Sequence, residues 1–572
     1  MKTNSILGAL LLWCPMAFSC SADPLSAADT ETSSGGSSTT SGGSAPTTPG
    51  TGSPGGTTTS PTTGGTTEDD DSEAGERTST ATETGIQDET APVIVLTAPR
   101  DGASVATAVW TFEGTVSDDP SGIDTLSFDG GEGPVEVEVD EDGTFAFRAS
   151  LTPGTQTYSL IGTDNAGNEG VAEASVHFGH RVSVGNSQAA FIRDGVLYTW
   201  GRNELGQLGN GTLEGSGWGD DPETAGLPVR YAADVDGLVS VVTRQTFMLG
   251  LREDGQVLSW GSNGSGQLGR ESESDCGNSG TSACGRTPAP IPGLDNAIAI
   301  NAGFDHSLVL HADGSVWTFG DNLYGQLGSD TGGVPRMQPA AIDGLSDIIQ
   351  VAAGSDVSYA LTAEGRVYAW GENDRGQLGL GNADGDAHPV PTLISNMTDV
   401  VHVAAANTTA FALLANGTLL AWGRNHAGQA GVDDESGVDV LSPSPVVTVD
   451  GESLADVVSV SGDGFVGLAL TADGHVYAWG LGALGQLGQG FGKDGERDLA
   501  DRLVASEVEV DREDARMFDI LELEGGAGGP SLALSEDGDL FGWGWSFRGS
   551  LGLEGAINAW AYSAPILVFA GD

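Results

Sequence analysis

Lysine is almost missing from this chain: only Lys2 and Lys493 carry it in 572 residues. With arginine there are 22 basic residues against 80 acidic ones, a formal net charge of −58. Phosphate backbones are held by many Lys/Arg contacts that release counterions, so this composition excludes nucleic acid as a partner and disfavours docking on anionic lipid. Cysteine is nearly as scarce, with four residues. Long apolar runs are absent too; Ile6–Trp13 is too short to be a good membrane span. No G-x-S-x-G, H-E-x-x-H or P-loop pattern occurs, and the eight histidines lack ligand spacing. Nothing here reads as an enzyme, although a hydrolase or lyase assembled from distant loops stays open.

The chain begins MKTNSILGALLLWCPMAFSC: a basic residue, an apolar stretch, then small residues. That is the pattern of an export signal over residues 1–20, excluded from the fold. Its end, AFSC, resembles a bacterial lipoprotein box, which implies lipid on Cys20 and an outer-membrane or cell-surface location. Plain secretion and cytoplasmic retention are the alternatives. Cys14 lies within the signal, which leaves Cys276 and Cys284 in a Ser/Gly-rich loop. Such a pair can reach disulfide geometry, and exported proteins favour disulfides. Two free surface thiols are the plainer reading, and a metal site lacks further ligands nearby.

Residues 21–88 are Ser, Thr, Gly, Pro and acid, with too little apolar surface to offset ordering entropy. They read as a disordered linker or stalk, with an r.m.s. span of roughly 45 Å. Residues 89–179 alternate apolar and polar residues in short runs broken by DDPSG, DEDG, TPG and DNAGN. That spacing predicts an all-β sandwich. The stretch DGASV…GTVSD…DGTFAF…TDNAGN resembles a bacterial immunoglobulin-like domain, which implies a spacer or adhesion module. Asp118, Asp119, Asp164 and Asn165 offer oxygen ligands for calcium at its edge, though acidic turns are mostly just solvated. No other cofactor is expected.

From residue 180 to 572 one line is written seven times, from DGVLYTWGRNELGQLG at Asp194 to DGDLFGWGWSFRGSLG at Asp537. Each copy is preceded by two apolar strands and followed by a fourth, so each unit predicts a four-stranded sheet and the seven predict a closed β-propeller. The anchors are Trp200-Gly201, Trp260-Gly261, Phe319-Gly320, Trp370-Gly371, Trp422-Gly423, Trp479-Gly480 and Trp543-Gly544. Residues one before each anchor are small and those two before are large. This suits a strand packed on both faces between neighbouring blades. Asp-Gly pairs before the strand suit two-residue hairpins, and Gln207 should brace loop backbone. The terminal SAPILVF, a fourth-strand match, is expected to close the ring by completing the first blade.

The line resembles the regulator of chromosome condensation repeat, whose seven copies form a seven-bladed propeller. The resemblance implies nucleotide exchange on a small GTPase as one alternative function. Only GFDHSLVL keeps that family's histidine, as His306, with Ser358 standing in its place in GSDVSYAL; repeats 6 and 7 also lose the Asn after Trp-Gly. Insertions follow the GQLG elements, hence share one face of the disc, and variable loops on a rigid scaffold commonly bind. Trp218, Phe491, Trp560 and Tyr562 in these loops are candidate anchors. The sequence thus reads as an exported, lipid-anchored binder of an extracellular protein or glycan, touching membrane only through its anchor.

Overall fold

The computed structural model describes residues 88–571 except 120, 132, 214–228, 231–234, 277–281, 396, 434–435, 463, 491–497, 509–518, 527–529, 547–548 and 553–561. Residues 93–178 form two packed sheets. One orders the strands Val93–Ala98, Val109–Ser117 and Thr144–Ser150. The other runs Ser104–Val105, Glu169–Phe178, Gly154–Asp164, Ile123–Asp129, Pro134–Glu136. Phe112 sits between them, 5.0 Å from the Phe128 ring and 5.4 Å from Tyr158.

Seven further sheets follow in chain order, each antiparallel, with the first four strands of each ordered inner to outer as the chain runs except in blade 2, where Glu273–Cys276 lies outside Ser282–Pro290 as a fifth strand. Their inner strands are Val182–Val184, Leu238–Thr243, Ala297–Ala302, Ile348–Ala353, Val400–Ala406, Val457–Gly462 and Ile520–Gly525, defining blades 1 to 7. Each inner strand packs on the next, and that of blade 1 lies between those of blades 2 and 7. All seven Trp/Phe anchors are fully buried. The glycines after them all have φ between 96° and 111°, which a side chain would strain.

Three expectations are corrected. The last strand, Tyr562–Phe569, pairs with Leu540–Gly544 inside blade 7 rather than with blade 1. Blade 1 has its own short outer strand, Val229–Arg230. The last strand follows its own hairpin in the chain, so local pairing needs little loop-closure entropy. The ring closes by packing instead: Val184, Phe191 and Trp200 against Leu532, Leu534 and Phe569. Only the first Asp-Gly pair is a two-residue hairpin with both residues at positive φ, Asp194 at 51° and Gly195 at 73°. In the other six blades the glycine alone is left-handed and its N–H bonds three residues back, as Gly255 does to Arg252. This is a type I turn with a bulge. Finally, pairing aligns His306 with Val357, since both face the glycine after the anchor, and aligns Ser358 with Ser307.

The sandwich caps one end of the propeller, the side of the Asp-Gly turns. Ala108 N–H bonds Ile349 O at 2.9 Å and Arg148 donates to Ala363 O at 2.7 Å. Arg100 pairs with Asp519 at 2.6 Å. At the linker, buried Glu522 accepts from Val182 N–H (3.0 Å) and Ser104 Oγ (2.9 Å) and pairs with Arg181 at 3.3 Å. Sandwich core residues and the ends of blades 4 and 5 share one apolar cluster. The opposite, loop-bearing side is left open by the sandwich.

A candidate binding face on the loop side

The loop side is built by the repeated line. In Arg202–Gly209 the Gln207 Oε1 accepts Leu205 N–H at 2.9 Å, and Asn203 Oδ1 accepts Leu208 N–H at 2.9 Å. Five later blades repeat the glutamine contact and four repeat the asparagine one; where blades 6 and 7 lose the Asn, Gly482 and Ser546 stand instead. The same glutamine holds the next blade. Its backbone carbonyl receives the following anchor's indole N–H: Trp260 to Gln207 (3.0 Å), Trp370 to Gln326 (2.9 Å), Trp422 to Gln377 (2.9 Å), Trp479 to Gln429 (3.0 Å) and Trp543 to Gln486 (3.0 Å). Trp200 closes the circle on Ser550 O at 2.9 Å. Phe319 has no N–H, and Ser307 Oγ takes its place on Gln267 O at 2.9 Å. The anchors therefore latch blade to blade, a role invisible in one repeat.

At the axis Arg244 bridges the loop-side ends of three inner strands, donating to Ala302 O and Ala353 O at 2.9 Å and Ala405 O at 3.4 Å. Beneath it Glu524 accepts Ser461 Oγ at 2.7 Å, and burial raises its pKa.

Around the axis, blades 3 and 4 present carboxylates. Gln267 Nε2 donates to Asp305 at 2.6 Å, Gln326 Nε2 to Asp321 and Asp356 at 2.9 Å each, and Gln377 Nε2 to Glu372 and Asp374 at 3.2 Å each. Burial first, then Glu372, Asp321 and Asp305, push Asp356 up to about 7. Burial, then Asp374, push Glu372 up to about 7, and burial then Asp321 raise Asp305. Partly buried carboxyls that titrate near neutrality beside an open face mark a functional candidate. Beside them stand Tyr324 and Leu323, the latter 60% exposed. The next sector is basic: Arg375 pairs with Asp439 at 3.5 Å, and Arg424 lies 5.2 Å over the Phe465 ring.

These residues occupy the variable positions between Trp-Gly and the Gln of each line, and the residue before each second strand. Sequence reading passed over both because they lie inside a constant motif; that they vary within it was the available signal. Of the anchors expected in the longer insertions, Trp218, Phe491 and Trp560 lie outside the described residues, as does Cys20. Tyr562 opens the last strand opposite Gly544, partly buried. Cys276 and Cys284 are disulfide-bonded across an added hairpin on the outer edge of blade 2, with Cα atoms 6.0 Å apart.

At the sandwich edge the structure gathers Asp118 and Asp164 with Asp88, oxygens within 4.8 Å of one another. Asp119 is exposed, and Asn165 Nδ2 instead donates to Ser121 O and Gly122 O. Asp164 is engaged by Ala166 N–H at 2.8 Å and Asn168 Nδ2 at 2.7 Å. Burial acts to raise its pKa, but these hydrogen bonds outweigh that and lower it. His306 and Ser358 lie 3.0 Å apart, a spacing seen in nucleophile–base pairs. Both are fully buried, and Ser358 Oγ donates to Gln326 O, so it must accept from His306 Nε2–H, the reverse of activation. Burial, then Arg244, push His306 down to about 3, so it is neutral.

Seven sheets around one axis, latched through their loops and capped at one end, define a seven-bladed β-propeller scaffold. The chain belongs to the RCC1-like domain family, whose model matches residues 161–527. Residues 92–179 match the model of Glucodextranase, domain B. Protein pim1 of Schizosaccharomyces pombe is 28% identical over 387 residues, covering 63% of this chain and 66% of pim1. The ultraviolet-B receptor UVR8 of Arabidopsis thaliana is 29% identical over 384 residues, covering 66% of this chain and 79% of UVR8. Among solved structures, Prp20p of Saccharomyces cerevisiae superposes with a TM-score of 0.51 at 20% identity, over 68% of this chain and 86% of Prp20p.

Proposed function

We propose that this chain is a binding protein whose loop face docks a protein partner. The observation carrying it is the one-sided construction: the sandwich occupies the turn side, leaving the loop side with a row of carboxylates, two of them with pKa values near 7. A basic segment laid on Asp321, Asp356 and Glu372 relieves their mutual repulsion and is favoured electrostatically. That Prp20p has binding properties towards Gsp1p and histones supports a protein over a glycan. Export, with lipid on Cys20 and residues 21–88 as a tether, completes the proposal and puts the partner outside the cell. The test compares capture of crosslinked partners by wild type and by the Asp356→Asn/Glu372→Gln double variant. A band lost in the variant supports the reading; bands unchanged by it, or recovered equally from the isolated buffer control, overturn it.

A further inference from the structure

Blades 3 and 4 show what the loop glutamine's amide group does. Gln326 Nε2 donates to the residue after Gly320, Asp321, and to the residue before blade 4's second strand, Asp356. Gln377 Nε2 likewise reaches Glu372, just after Gly371. In blade 5 the same two positions are inverted. Arg424 follows Gly423, and Phe465 precedes the next second strand. Gln429 is 1% exposed, its Oε1 still braces Ala427 N–H at 2.8 Å, and its Nε2 has no hydrogen-bond partner among the described residues.

Arg424 lacks a carboxylate acceptor. It forms no ion pair with a carboxylate among the described residues, in a chain of net charge −58. Its Nε and Nη2 meet the two ring nitrogens of His426 at 2.8 and 2.7 Å. A neutral imidazole has one acceptor nitrogen, so only one of these N–H groups is satisfied. Burial, then Arg424 itself, lower the pKa of His426, which keeps that ring neutral. The two carboxylates that act on Arg424 at longer range, Asp439 and Asp374, pair with Arg375 at 3.5 and 3.6 Å. By the positions they hold in the repeat, a buried amide N–H and a half-buried guanidinium thus stand where neighbouring blades hold a carboxylate.

We infer that this spot takes a carboxylate from the protein partner, an Asp or Glu side chain or a chain end, between Arg424 and Gln429. It rests on the loop face being the docking surface and deepens it. The orphaned N–H is closed off from water, so Arg424, whose side-chain contacts among the described residues are a neutral imidazole and an aromatic face, is the group that swings to admit the ligand. A carboxylate there forms charge-assisted bonds to both donors; in blades 3 and 4 the internal carboxylates already take the bond from the amide.

The test needs no partner, so its failure is distinct from failure of the docking reading. The full chain, labelled with ¹⁵N-arginine, is titrated with acetyl-glutamate-amide, and separately with inorganic phosphate, at fixed ionic strength. The Arg424 Nε–H resonance is followed, assigned by its loss in Arg424→Lys. A saturable shift with acetyl-glutamate-amide is expected. Gln429→Glu keeps the brace on Ala427 while supplying a carboxylate from within, so it should weaken the titration at least tenfold in a protein with an unreduced melting temperature. No saturable shift in wild type overturns the inference. So does unchanged affinity in Gln429→Glu, and a tighter response to phosphate overturns the carboxylate assignment.

Discussion

The indole latches predict a ranking among substitutions that look identical in sequence. Trp370→Phe and Trp479→Phe each remove a fully buried indole N–H and leave a similar void. They differ in what remains on the accepting carbonyl. Gln326 O keeps a second donor, Ser358 Oγ at 2.9 Å. Gln429 O keeps none among the described residues, because Gly467 stands where blade 4 has Ser358. Losing a hydrogen bond costs about 1 kcal/mol, and stranding a buried acceptor adds about 1–3 kcal/mol. Trp479→Phe should therefore cost about 1–2 kcal/mol more than Trp370→Phe. Blade 3 is the natural precedent, with Phe319 beside Ser307. Adding Gly467→Ser to Trp479→Phe should recover about 1 kcal/mol, the room for it coming from the smaller ring. The assay is the urea midpoint of the propeller transition, with hydrogen exchange of the blade 5 and 6 strands as local readout, since a two-domain chain need not unfold in two states. Equal losses for the two single variants, or no recovery in the double, would refute the latch.

Asp356 has a folded pKa near 7 against an ordinary 3.8, so the folded state holds the extra proton and stability falls as pH rises between those values. Asp356→Asn should leave stability unchanged below pH 4 and raise it by about 1–2 kcal/mol at pH 8, discounting the full shift for relaxation and for sharing with Glu372; thermal melts at both pH values check it. Glu522→Ala strands Arg181 at the joint between sandwich and propeller and should cost about 3–5 kcal/mol there, read as faster limited proteolysis near residue 180. Asp194→Gly should stabilise by about 0.5–1 kcal/mol because Asp194 is left-handed, whereas Asp254→Gly should destabilise by a similar amount because only Gly255 is; melting temperatures of opposite shift are expected.

The blades were legible because their pattern is local and repeated seven times: strand alternation, a turn glycine and a buried anchor recur in each line. What sequence reading missed joins residues far apart in the chain. The Trp latches span one repeat, and the indole's partner is a backbone carbonyl, which leaves no mark in composition. The sandwich's seat on the turn side rests on contacts such as Arg181 to Glu522, 341 positions apart. Ring closure was misread because a matching strand pattern says which layer a segment occupies but not which blade. The site went the same way. The perturbed carboxyls and the orphaned Gln429 stand not on the long insertions with aromatics but on short loops, where one-residue differences between repeats decide the chemistry.

The central claim, that the loop face docks a protein partner, is tested most directly by a photo-crosslinking amino acid placed at single exposed positions on both ends of the propeller. Leu323 and His426 report the loop face, and Val135 and Val171 the sandwich. The account predicts one protein species crosslinked from both loop-face positions and from neither sandwich position. The same species captured at Val135 or Val171, with none at Leu323 or His426, would contradict it.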